Sequence, residues 1–237
     1  MNDGYFGRDC GILVIDDHAI SRLYITEALG LFSSNIKQVE SGSQALSITR
    51  GWFPRLIYTD IHLPDMCGLE LVQKIRYAWP RELGLPQIVI ITGDDSPAMK
   101  QKAAQASVAA MLLKPVQMED IRASAEQLIC PGSTVKEKSA QNRGGIIDQQ
   151  LCDLFTRELT TRLPVLDRHI SQLNWTSAGD ILHQLIASAA MCRKKELERS
   201  SRLLYRAISS NPQPRPIAQA YHPFLQAVVR TKMQLES

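Results

Sequence analysis

The sequence predicts an α/β domain built on a five-stranded parallel sheet, followed by an all-α bundle. Three observations carry this reading. Over the first 130 residues, short and nearly continuous apolar runs alternate with helix-length segments. A polar, Gly/Ser-rich stretch follows. Beyond residue 146, apolar residues recur only at helical spacing. Strict alternation of strand and helix belongs to a parallel sheet covered on both faces, and continuous apolar strands are what such burial requires.

The strands are expected at 11–15, 35–39, 55–59, 87–91 and 109–113, with Gly-Ile-Leu-Val-Ile the first of them. Helices are expected between and after them, at 19–31, 43–51, 68–79, 97–106 and 117–129. Residues 131–145 (PGSTVKEKSAQNRGG) are aperiodic and read as a linker, whose fifteen flexible residues would span about 20 Å. In the second half, Leu151, Leu154, Phe155 and Leu159 share one helical face, as do Leu163, Leu166, Ile170 and Leu173. Segments 181–192, 197–208 and 217–235 continue the pattern, with breaks expected at 174–179 and 211–216. About four helices in roughly 90 residues make an antiparallel bundle. The expected boundaries are therefore 9–130, 131–145 and 146–237.

Composition excludes several classes of function. A formal net charge of +3, from 27 basic and 24 acidic residues, is no footprint for direct DNA binding, which calls for a concentrated basic face. No apolar run approaches the roughly 20 residues that span a bilayer, so no membrane association is expected. Residues 1–9 include Asp3, Arg8 and Asp9 and have no apolar core of a signal peptide. The five cysteines are scattered and form no Cys-x-x-Cys pair, which fits a reducing cytoplasm.

Chemistry concentrates at the carboxyl ends of the strands, where open parallel sheets bind ligands. The first strand ends in Asp16-Asp17, the third in Asp60, the fourth in Thr92-Gly93 and the fifth in Lys114-Pro115. With strand order 2-1-3-4-5 these ends are neighbours, and three carboxylates, a hydroxyl and an ammonium converge. Three carboxylates in one crevice repel unless a cation intervenes, and hard carboxylate oxygens suit Mg²⁺. Such a site can transfer a phosphoryl group: one carboxylate attacks phosphorus in line while the metal and Lys114 offset charge on the other oxygens, to which Thr92 donates. A strand-end aspartate by itself more often caps the next helix. An Asp pair, a lone Asp, a Thr-Gly and a Lys-Pro in this order ask for a common site.

These residues, with the run Asp60-Ile-His-Leu-Pro-Asp-Met-Cys-Gly68, resemble the receiver domain of two-component response regulators over about residues 9–130. The resemblance implies a flavodoxin-like receiver fold, phosphorylation of Asp60, and Mg²⁺ held by Asp17, Asp60 and the backbone carbonyl of His62, with Asp16 acting mostly through water. It also implies a cis peptide before Pro115 and an inward Lys114. Met111 stands where the family usually has an aromatic switch residue, and Cys67 replaces a usual Asp or Asn. His62 and Asp94 occupy variable positions that tune the lifetime of the phosphoryl group.

In the second half, His183 falls opposite the apolar stripe of Ile181, Leu182, Leu185, Ser188, Ala189 and Cys192. A lone surface histidine usually has no task. This one is surrounded on the helical wheel by Thr176, Gly179, Asp180, Ala187, Ala190 and Lys194, most of them small, and neutral imidazole is a competent phosphorus nucleophile near pH 7. The segment His183-Gln-Leu-Ile-Ala-Ser-Ala-Ala190 resembles the histidine-phosphotransfer (HPt) motif His-x-Leu-Lys-Gly-Ser-Ala, which would make His183 a phosphorylated residue in an HPt-like bundle. Ile186 replaces the usual Lys and Ala187 the usual Gly; Arg193 stands where a second Gly is common. His169 reads as half-buried packing, and His18 and His222 as structural.

Two functions follow as expectations. One is a phosphorelay protein that catalyses its own Asp60 phosphorylation and dephosphorylation and exchanges phosphate through His183, with a sensor histidine kinase and a downstream response-regulator receiver as partners. The other is a phosphorylation-switched binding module whose helical domain carries no phosphate. No nucleotide loop is present, so the chain does not read as a kinase.

Overall fold

The computed structural model describes residues 10–129, 144–210 and 212–235. The chain divides into two compact units, 1–143 and 144–237. In the first, strands β1 (Ile12–Ile15), β2 (Ile36–Val39), β3 (Leu56–Asp60), β4 (Gln87–Thr92) and β5 (Ala110–Leu113) form one sheet in the order β2-β1-β3-β4-β5. All four pairings are parallel. Helices α1 (Ala19–Leu29), α2 (Gly42–Ile48), α3 (Gly68–Ala78), α4 (Pro97–Gln105) and α5 (Met118–Ile129) connect or follow the strands, and a short 3-10 turn occupies Arg81–Leu83.

The period-two alternation of the strands divides the core between two faces. Leu13, Ile15, Ile57, Ile88 and Ile90 pack with Ala45, Leu71, Val72 and Ile75 of α2 and α3. On the other face, fully buried Tyr58 places its hydroxyl 2.7 Å from Ser124 Oγ and donates to the Ile121 carbonyl (3.1 Å), tying β3 to α5. Burial raises the Tyr58 pKa, and the Ser124 contact only partly opposes it. Local chemistry starts several helices. Ser41 and Ser96 accept from the N–H groups of Gln44 and Met99 at the heads of α2 and α4, and Pro97 opens α4.

The second unit contains α6 (Gly144–Ser171), α7 (Trp175–Met191), α8 (Lys195–Ser210) and α9 (Pro214–Leu235). Packing runs α6 on α7, α7 on α8, α8 on α9 and α9 on α6, around Phe155, Leu159, Leu166, Leu182, Leu185, Leu204 and Phe224. Two expected breaks are shorter than read. Asn174 caps α7 through the Ser177 N–H, so helix begins at Trp175 and runs through Gly179. At the other break, helix resumes at Pro214. Gly144 and Gly145, read as linker, already belong to α6; the linker residues before them lie outside the described residues. No described helix is long and apolar enough to cross a membrane.

Candidate functional site

The strand order places the ends of β1, β3, β4 and β5 side by side. Asp16 and Asp60 are buried and Asp17 is exposed. One carboxylate oxygen from each of the three lies within 4.8 Å of the others. Helix capping does not explain them: the N-cap of α1 is His18, which makes no side-chain cap, and Asp60 ends a strand eight residues before α3. Instead, Asp16 Oδ1 accepts from the His18 N–H (2.8 Å) and Asp60 Oδ1 from the His62 N–H (3.2 Å). These bonds fix the inner face of each carboxylate. His62 is exposed and its backbone bridges Cys67 across the β3–α3 loop.

Lys114 reaches in from the end of β5, across a cis Lys114–Pro115 peptide. Its Nζ lies 2.5 Å from Asp60 Oδ2 and 3.4 Å from Asp16 Oδ2. Burial works against the ammonium, but Asp16 and Asp60 more than offset it and its pKa is raised. Burial also raises the Asp16 pKa, with Asp60 adding to the effect and Lys114 opposing it. Thr92 ends β4 with no exposed surface. Its Oγ1 accepts from the Asp94 N–H (3.0 Å), which leaves its own proton to donate into the crevice.

The donor set fits a hard divalent cation: oxygen ligands from three carboxylates, one of them open to solvent, with charge that a single ammonium does not balance. Asp16, Asp17 and Asp60 are the residues that could hold it.

Three further residues support the site. Arg22 donates to the Asp16 carbonyl (2.7 Å) and to Glu40 (2.9 Å), bracing the ends of β1 and β2. Asp65 accepts from the N–H groups of Gly42 and Ser43 (2.9 and 2.8 Å), latching the β3–α3 loop to the start of α2. Gly68 is required by close approach: a Cβ there would lie 2.3 Å from the Asp60 carbonyl oxygen and 2.9 Å from Ile61 Cα. Asp65 and Gly68 carry a sequence signal, as members of the Asp60–Gly68 run, and Arg22 carries none. A groove of about 650 Å³ lined by Arg50, Phe53, Tyr77 and Trp79 lies at the C-terminal ends of α2 and α3, hence at the opposite edge of the sheet.

In the second unit His183 is exposed on α7. Its surroundings differ from the wheel reading. Gly179 is buried rather than open. The Tyr205 ring of α8 stands beside the imidazole, with centroids 6.2 Å apart. His169 is half-buried.

Residues 12–126 match the response regulator receiver domain family, and that segment is a receiver domain. The sensory/regulatory protein RpfC of Xanthomonas campestris pv. campestris is 26% identical over 153 residues, 62% of this chain and 21% of RpfC. Sensor histidine kinase RcsC of Escherichia coli K12 is 31% identical over 115 residues, 48% of this chain and 12% of RcsC. The chain therefore matches only about a fifth or less of each of these relatives. Among solved structures, the chemotaxis protein CheY4 of Vibrio cholerae aligns over 51% of this chain and 98% of its own, at 22% identity and a TM-score of 0.47.

Proposed function

We propose that this chain is a phosphorelay intermediate: Asp60 of a receiver (residues 9–130) accepts a phosphoryl group, and His183 of an HPt-like bundle, joined to it by a linker, passes phosphate to or from a receiver. The observation that carries it is the meeting of Asp16, Asp17 and Asp60 around Lys114. An Asp60 carboxylate oxygen attacks phosphorus of a phosphohistidine or a small acyl phosphate. A P–O bond forms, and the bond to the donor breaks with its electron pair leaving on the donor. Lys114 and the Thr92 hydroxyl meet the non-bridging oxygens. Mg²⁺, held by Asp16, Asp17, Asp60 and the His62 carbonyl, would offset charge on the phosphoryl group and the aspartates. The donor is a sensor histidine kinase, the recipient a downstream receiver, and the compartment the cytoplasm. The chain itself is neither a kinase nor a DNA-binding protein.

A second reading, a phosphorylation-switched binding module with an inert helical domain, draws on Ile186: buried and apolar, it leaves α7 without a cation beside His183. One experiment separates the two. The protein is incubated with Mg²⁺ and a phosphorylated donor receiver, and the label is tested for acid and base stability. The relay gives acid-labile phosphoramidate that His183→Gln abolishes; equal acid-labile label in His183→Gln and wild type refutes it.

A further inference from the structure

A phosphoryl group on His183 would bring up to two negative charges to a helix face that supplies no counter-charge of its own. Thr176, Ala187 and Ala190 are neutral, and Asp180, one turn away, is acidic. Lys194 lies beyond the end of α7, in the turn before α8. On α8, Arg202 already turns Nε and Nη2 to Glu198 Oε1, at 3.1 and 2.8 Å.

Arg162 of α6 is placed differently. Its Nη1 donates to Oε1 of Gln184, the residue after His183. Its Nε lies 2.9 Å from Oε1 of Glu158, a carboxylate only 7% exposed. One guanidinium donor is thus held by Gln184 of α7 and one by Glu158 of α6 itself, and three of the five remain for an anion. The side chain is 30% exposed, enough to be reached from solvent. Across the imidazole, Tyr205 stands with its ring tilted 52° to that of His183 and over Gly179, where a Cβ would come within 3.7 Å of it.

We propose that Arg162 is the cation that steadies the phosphoryl group on His183, oriented by Glu158 and Gln184, while Tyr205 positions the imidazole. This rests on the reading that His183 carries phosphate. In transfer from an aspartyl phosphate, an imidazole nitrogen lone pair forms the N–P bond. The P–O bond to the donor carboxylate breaks and its electron pair leaves with that carboxylate, while the other ring nitrogen keeps its proton. Arg162 donates to the non-bridging oxygens throughout.

The test uses the full chain carrying Asp60→Asn, so that the receiver takes no label, with potassium phosphoramidate as donor. Acid-labile label that depends on His183 is followed by rate, by hydrolysis half-life and by the phosphorus-NMR resonance of the phosphohistidine. Arg162→Gln is expected to slow labelling about tenfold, the ordinary weight of a charge-assisted hydrogen bond, to shorten the half-life and to shift the resonance. Arg162→Lys should recover most of the rate. The pair Arg162→Gln with Glu158→Gln leaves no unpaired buried carboxylate and should behave as the single variant while folding normally. Label dependent on His183 with rate, half-life and resonance unchanged in both Gln variants overturns the inference alone. No label dependent on His183 in the Asp60→Asn chain removes the underlying reading and the inference with it.

Discussion

Lys114 joins two buried carboxylates that would otherwise face one another unscreened. Removing one partner from a buried ion pair leaves uncompensated charge, which costs about 3 kcal/mol or more. Lys114→Met, in chelator, should therefore lower the opening free energy of the β3 amides by about 3 kcal/mol, read by hydrogen exchange; a loss under about 1 kcal/mol would mean the ammonium is not needed to hold the crevice. Asp16, Asp17, Asp60, Thr92 and Lys114 were legible because each sits at a strand end, where position along the chain converts directly into position in the crevice. Arg162, Tyr205 and Arg22 were not. Their partners lie on other elements, and which turn of α6 or α8 faces His183 depends on a helix register that the spacing of apolar residues does not encode.

The β3–α3 loop depends on two contacts of different character. Gly68 fits because it has no side chain, so Gly68→Ala must push a methyl into the Asp60 carbonyl. Destabilisation above about 2 kcal/mol is expected, together with loss of Asp60 labelling; a variant with normal stability and labelling would show that the loop has room. The Asp65 latch is electrostatic. Hydrogen bonds from the Ser43 side chain and from the Ser43 and Gly42 amides hold its carboxyl below the ordinary value. Since the folded-state pKa is the lower one, the latch contributes fully above pH about 4 and is lost as pH falls through the lowered value. The Gly42 and Ser43 amide resonances should titrate together with a midpoint below 4, and Asp65→Asn should abolish that titration; a midpoint at or above 4 contradicts the latch. The elements themselves were well marked in the central strands β1, β3 and β4, where nearly uninterrupted apolar runs admit one reading. In the bundle, Gly179 looked like part of a break, but Asn174 had already capped α7, and Gly179 lies buried inside that helix.

At the scale of the molecule, the two units differ in how far their chemistry is built in. The receiver brings its carboxylates, hydroxyl and ammonium together within one sheet edge. Mg²⁺ binding there should stabilise the receiver by about 2.7 kcal/mol at a hundredfold excess over its dissociation constant. Asp17→Asn, which removes the solvent-facing ligand, should lose most of that gain in hydrogen exchange with and without the metal; an undiminished gain would place the ion elsewhere. The helical unit presents His183 on α7 with the Tyr205 ring of α8 beside it.

The proposed relay depends on Asp60 as the phosphoryl acceptor. Incubation with acetyl phosphate and Mg²⁺ should add one phosphoryl group that is lost in base, and Asp60→Asn should take up none. Equal labelling of Asp60→Asn and wild-type protein would contradict it.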